Sequence, residues 1–213
     1  MAAMGERLLL ADDHAVFVEA LAKLLRSRYE VVEVVSDGRA LCEAARRHEP
    51  DVIITDITMP LMNGLDAVRA LRSEVKTAKV VFLTMHAELS LVRECFQSGA
   101  SAFLVKHCGY DELCLALDAV FKGETYVSSA IANEFVAFSN TSATTSSKYE
   151  QLSLRQREIL QLFAEGKTTK DIAAIVNLST RTVEWHKYRM MRMLGLQRSA
   201  ELVQFAARMK LVP

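Results

Sequence analysis

No apolar run in this 213-residue chain approaches the roughly 20 residues that a membrane-spanning helix needs, so no membrane partner is expected. Residues 1–7 lack the basic and long apolar regions of a secretion signal, and a cytoplasmic protein is the expectation. Cysteine is scarce and scattered: Cys42, Cys95, Cys108 and Cys114 form no C-x-x-C pair, and no histidine cluster accompanies them. That argues against a disulfide framework or a thiolate metal site and for reduced structural thiols. Net charge is absent as well, with 26 Lys+Arg against 26 Asp+Glu. The balance conceals two unlike halves: residues 1–147 hold 14 basic and 20 acidic side chains (net −6), and residues 148–213 hold 12 and 6 (net +6). A small basic part joined to an acidic one points to a polyanion as partner of the second.

What is present centres on Asp56. The run Asp51-Val52-Ile53-Ile54-Thr55 leads into this carboxylate, and a loop with Pro60 and Gly64 follows. A short apolar run bounded by turn signals reads as a buried strand, with Asp56 at its C-terminal end. Leu8-Leu9-Leu10-Ala11 ends the same way, in Asp12-Asp13. Strands are expected over 7–11, 30–35, 51–55, 79–84 and 101–105. Amphipathic helices are expected over 15–28, 38–47, 65–73, 90–98 and 110–122. In the first helix Val16, Ala20, Leu21, Leu24 and Leu25 fall at helical spacing, and Gly99 and Gly123 stand where helix C-caps are expected. Five βα units predict an α/β fold with a parallel sheet covered on both faces.

Such sheets bind ligands beyond the strand C-termini where the strand order reverses; in the order 2-1-3-4-5 that point lies between strands 1 and 3. The same rim receives Asp12, Asp13, Asp56, Thr84 and Lys106. Taken singly, each Asp has a plainer reading as a turn residue or helix N-cap, which suits Asp13, and His14 reads as a first-turn helix residue or a group shaping the acidic pocket. Together, three close carboxylates call for a proton or a cation between them, and oxygen-only ligands favour a hard ion such as Mg²⁺. A carboxylate there can act as a nucleophile toward phosphorus, with Lys106 as a counter-charge and the Thr84 hydroxyl as a donor. His86 lies in the loop after Thr84 and is given no catalytic proton.

Residues 1–124 resemble the receiver domain of two-component response regulators. The resemblance rests on Asp12-Asp13, Asp56 followed by Met59-Pro60 and Gly64, Thr84, and Phe103 three residues before Lys106. It implies that a sensor histidine kinase phosphorylates Asp56. It also implies that Asp13 and Asp56, with Asp12 through water, hold Mg²⁺, that Thr84 moves toward the phosphoryl group, and that Phe103 changes rotamer. Phe103 stands where Tyr is common, and His107 follows Lys106.

Residues 125–149 read as a linker, with one helix over 128–138 carrying Ile131, Phe135 and Phe138 on one side. Residues 139–147 contain only Ser, Thr, Asn and Ala and read as a flexible tether. From 150 to 213 the signals are helical. Ser153 with Gln156 makes a capping box, Thr168 and Ser179 cap two further helices, Gly195 stops the third, and 200–209 makes a fourth. The third helix turns Val183, Met190 and Leu194 to the core. Arg181, Glu184, Trp185, Tyr188 and Arg192 lie on the other side, with Lys187 and Arg189 flanking and Thr182 near the helix start. A basic face with aromatics suits the DNA major groove, and Glu184 can accept from a cytosine amino group. The plainer reading is a solvated helix with Trp185 packed on a neighbour.

This part resembles the LuxR/FixJ-type DNA-binding domain, on Leu152-Ser153-Leu154, Arg157-Glu158, Ile159-Leu160, Gly166-Lys167, Ile172-Ala173, Leu178-Ser179, Thr182-Val183, His186 and Leu194-Gly195-Leu196. Glu184 stands where many relatives carry a basic residue. The whole is therefore similar to a NarL/FixJ-type response regulator: a flavodoxin-like (βα)5 receiver joined to a four-helix helix-turn-helix domain. The resemblance implies a non-enzymatic transcription regulator that dimerises on phosphorylation, frees its recognition helix for two half-sites of double-stranded promoter DNA, and has RNA polymerase as a further partner. Two other readings stay open: a DNA binder independent of phosphorylation, and a metal-dependent phosphatase with an Asp nucleophile. The phosphatase's usual second Asp, two residues on, is Thr58 here.

Overall fold

Alternation along the buried strands divides the sheet's side chains between two faces. The structure, a computed structural model, describes residues 5–72, 74–75, 77–139, 149 and 151–209. Its strands are β1 (Arg7–Ala11), β2 (Glu30–Val35), β3 (Val52–Thr55), β4 (Lys79–Thr84), β5 (Ala102–Val105) and β6 (Tyr126–Val127), in the order β2-β1-β3-β4-β5-β6. All neighbours pair in parallel. Leu8, Leu10, Val52, Ile54, Val81 and Leu83 point to one face, where α1 (Ala15–Leu25) and α5 (Tyr110–Lys122) cover them. Leu9, Ala11 and Ile53 point to the other, beneath α2 (Gly38–His48) and α3 (Gly64–Leu71); Phe82 and Phe103 point beneath α3 and α4 (Leu89–Gln97).

Two features depart from the sequence reading. In α1 the buried stripe is Val18, Ala22 and Leu25, whereas Val16 is 84% and Leu24 51% exposed. Both stripes have helical period, and contact with the sheet decides between them. The segment read as the start of a linker instead adds β6 to the sheet edge, followed by α6 (Ala132–Ser139). Ile131 is buried and Phe135 packs beside it in the Phe103 cluster, with the Phe135 and Phe96 rings 5.6 Å apart. The tether reading over 140–147 lies outside the described residues.

The C-terminal helices are α7 (Leu154–Ala164), α8 (Thr169–Ile175), α9 (Thr180–Leu194) and α10 (Ser199–Arg208). The Ser153, Thr168 and Ser179 side chains accept from the amides of Gln156, Asp171 and Thr182, and Gly195 closes α9 at φ 73°. Caps of this kind stabilise a helix by about 1 kcal/mol each. Ile159, Leu160, Leu162, Ile172, Val183, Met190, Leu194, Leu202 and Ala206 form a separate core.

Candidate functional site

Parallel pairing brings the C-terminal ends of β1, β3, β4 and β5 to one rim, as predicted. There Asp12 and Asp56 are 5% and 3% exposed. The Lys106 ammonium lies 2.6 Å from Asp56 Oδ2 and 2.8 Å from Asp12 Oδ2, and over the Phe17 ring. Burial alone would pull the Lys106 pKa down. Its hydrogen bonds to the two carboxylates, and their charge, outweigh that and raise it above the ordinary lysine value. Asp56 Oδ1 accepts from the amides of Ile57 (2.6 Å) and Thr58 (3.4 Å), which fixes the start of the following loop. Thr84 is buried, with its hydroxyl accepting from the His86 amide at 3.3 Å, and Phe103 is fully buried. The Asp12, Asp13 and Asp56 carboxylates and the His14 imidazole offer donor atoms all within 4.8 Å of one another, an arrangement able to hold a metal ion.

The loop after Asp56 is also a docking surface, which the sequence reading missed. Gln161 of α7, 1% exposed, donates from Nε2 to the Met59 carbonyl (2.6 Å) and accepts at Oε1 from the Asn63 amide (2.8 Å). The Leu61 amide donates to Glu165 at 2.8 Å, and Leu61, at φ 64°, packs on the C-terminal core. Asp66 of α3 pairs with Arg157 (3.0 Å) and accepts from the Tyr149 hydroxyl (2.5 Å), while Arg157 stacks on the Tyr149 ring. Burial, and then the Asp66 charge, push the Tyr149 hydroxyl well above the ordinary tyrosine pKa. Arg39 of α2 pairs with Glu158. Motif residues Arg157 and Glu158 thus face the α/β part. The signal available in the sequence was the polar set Gln156, Arg157, Glu158 and Gln161 on a short helix, but it reads equally well as a solvated face.

The candidate nucleic-acid face of α9 lies open. Trp185 is 52% and Tyr188 62% exposed, and Arg181, Arg189 and Arg192 are exposed. Arg189 stacks over Trp185, 5.0 Å from the ring centroid. Thr182 and Lys187 are half-buried, with Lys187 over the Phe163 ring, and Glu184 accepts from the Thr169 hydroxyl at 2.7 Å. His186 packs edge-on to Trp185; burial, then the nearby Arg155 and Arg189 charges, lower its pKa. Because docking uses α7, the outer face of α9 is accessible without separating the two parts.

Comparison with known proteins assigns both parts. Residues 8–118 match the response regulator receiver domain, and residues 150–206 match the bacterial regulatory proteins of the luxR family. The oxygen regulatory protein NreC of Staphylococcus aureus (strain MRSA252) is 35% identical over 97% of this chain and 99% of its own. A LuxR-family two-component response regulator from Aurantimonas sp. SI85-9A1 superimposes with a TM-score of 0.60 at 29% identity, over 63% of this chain and 98% of that one. RcsB of Salmonella typhimurium shares the fold, with a TM-score of 0.60 at 23% identity over 96% and 99% of the two chains. RcsB has also been solved as dimers bound to DNA. A receiver-type sheet joined to a LuxR-type helical unit, in a relative matched along its whole length, is a regulator and not an enzyme: the chain belongs to the LuxR-family two-component response regulators.

Proposed function

We propose that Asp56 is the phosphoacceptor of a cytoplasmic transcription regulator, and that a sensor histidine kinase phosphorylates it. Of the limits read from the sequence we keep 150–213 for the DNA-binding domain; we extend the receiver beyond 124 through β6 and α6, which join its sheet and core, so that the linker starts after residue 139. The observation that carries the reading is Lys106 poised between buried Asp56 and Asp12 at the sheet edge. An Asp56 carboxylate oxygen attacks phosphorus, the P–N bond of the phosphohistidine breaks, and its electron pair stays on the departing imidazole, which takes a proton from solvent water. Lys106 then exchanges its Asp56 contact for a phosphoryl oxygen, and the Thr84 hydroxyl turns from the His86 amide to donate to another. Phe103 takes up the space that Thr84 leaves.

The donor set fits Mg²⁺: three carboxylates, with the buried Asp13 Oδ1 accepting no hydrogen bond among the described residues. Asp12, Asp13 and Asp56 would hold the ion, which when bound supplies charge neutralisation for the transferring group. Movement of the Asp56 loop loosens its hold on α7, and the released form dimerises on promoter half-sites through Arg181, Thr182, Glu184, Trp185, Lys187, Tyr188, Arg189 and Arg192, with RNA polymerase as a further contact. Support for dimeric DNA binding comes by analogy from RcsB.

Incubation with Mg²⁺ and acetyl phosphate or the partner kinase, followed by intact mass measurement, tests the phosphoacceptor. Wild type gains a phosphoryl group and Asp56→Asn does not; equal labelling of both refutes the assignment. The open α9 face favours a second reading, DNA binding without phosphorylation. Equal operator affinity of phosphorylated and unphosphorylated protein would establish it.

A further inference from the structure

We infer that His14 adds a nitrogen ligand to the acidic pocket and makes it a mixed site that takes first-row transition ions. This rests on the proposal that the carboxylates form a cation site. The His14 amide donates to Asp12 Oδ1 at 2.9 Å, which holds the residue at the rim. Its Nδ1 lies 3.2 Å from Asp12 Oδ1, 2.9 Å from Asp13 Oδ1 and 3.4 Å from the Lys106 ammonium, so this ring atom faces the carboxylates.

Three observations point to a cation among these groups. Asp13 Oδ1 is buried and accepts no hydrogen bond among the described residues; His14 Nδ1 is near it but outside hydrogen-bonding geometry. The Lys106 ammonium already contacts Asp12, Asp56 and His14, marking a point where three donor residues favour positive charge. The donor atoms also lie within 4.8 Å of one another. Donors about 2.1 Å from an ion lie about 3 Å apart when adjacent and about 4.2 Å apart when opposite, so a sub-ångström contraction closes the set.

Carboxylates alone suit Mg²⁺, whereas an imidazole suits Co²⁺, Ni²⁺, Cu²⁺ and Zn²⁺. With His14 turned inward the site gains affinity for the second group and little for the first. His14 is 60% exposed, so its ring can swing out and leave the carboxylate set to a hard ion.

The test is calorimetric titration of the full chain with Mg²⁺, Mn²⁺, Co²⁺ and Zn²⁺, together with the visible absorption spectrum of the Co²⁺ form. His14→Ala is predicted to weaken Co²⁺ and Zn²⁺ binding by tenfold or more while changing Mg²⁺ affinity by less than about twofold, with Mn²⁺ between. It should also change the Co²⁺ absorption bands. Asp13→Asn should lower affinity for every ion, which locates the measured binding. Co²⁺ affinity and spectrum unchanged in His14→Ala, or Mg²⁺ and Co²⁺ affinities falling in parallel, would overturn the role of His14 and leave the carboxylate site standing. Mg²⁺ binding that ignores Asp13→Asn would instead overturn the carboxylate site itself.

Discussion

Replacing Gln161 with leucine tests whether the Asp56 loop holds the DNA-binding helices in place. Leucine fills a similar volume and keeps helix propensity, but it makes neither hydrogen bond to the loop. In the docked state Gln161→Leu strands the Met59 carbonyl and the Asn63 amide, both now paired with Gln161. Each buried polar group left unpaired costs about 1–3 kcal/mol, so docking loses about 2–6 kcal/mol. Separation lets water satisfy both groups, so the cost falls on the docked state alone. At about 1.4 kcal/mol per factor of ten, the docked-to-released ratio drops by about 30-fold to about 10⁴-fold. Small-angle scattering should show a larger radius of gyration for Gln161→Leu. Amide exchange should rise over residues 57–66, while circular dichroism remains that of the wild type. Unchanged scattering together with unchanged loop protection would refute the coupling.

Three further outcomes are expected. A Cβ at Gly64 would lie 1.9 Å from the Asp56 carbonyl oxygen and 2.8 Å from Thr55 Oγ1. Gly64→Ala should therefore cost about 1–3 kcal/mol in a denaturant melt and slow Asp56 labelling by acetyl phosphate; a wild-type midpoint and labelling rate would contradict the packing. Arg181→Ala should make the slope of log affinity against log salt shallower by about 0.9, as for one lost phosphate contact, whereas Trp185→Ala should lower affinity with the slope preserved; binding assays across salt concentrations decide both. Tyr149 has its pKa raised in the docked state, so its contribution to docking is complete below the ordinary tyrosine value near 10 and is lost as pH rises through the docked value. Scattering followed from neutral to strongly alkaline pH should show wild type opening, and Tyr149→Phe should lose that part of the pH dependence.

The rim was legible in the sequence because parallel strands leave no choice of edge. Once Leu8–Ala11, 51–55, 79–84 and 101–105 were strands of one parallel sheet, Asp12, Asp56, Thr84 and Lys106 had to meet, and Lys106 does lie between Asp12 and Asp56. Periodicity identified α1 as a helix but could not choose between the Val16 and Val18 stripes, since that depends on the docking angle against the sheet. Strand β6, two residues long, carries no readable period and exists through its pairing with β5. The docking seam was hidden for a different reason. Gln161, Arg157 and Asp66 have the residue types of a solvated surface, and only their burial at 1%, 7% and 3% shows otherwise. Polar groups so deeply buried are stable only when paired, and their partners here are the backbone and side chains just beyond Asp56. Asp56 Oδ1 holds the amides of Ile57 and Thr58, and the carbonyl of the next residue, Met59, is held by Gln161. A change in the charge or hydrogen bonding of Asp56 therefore reaches α7 through three residues of one loop, and by linkage anything that draws α7 away must act back on the equilibrium between the two states of Asp56.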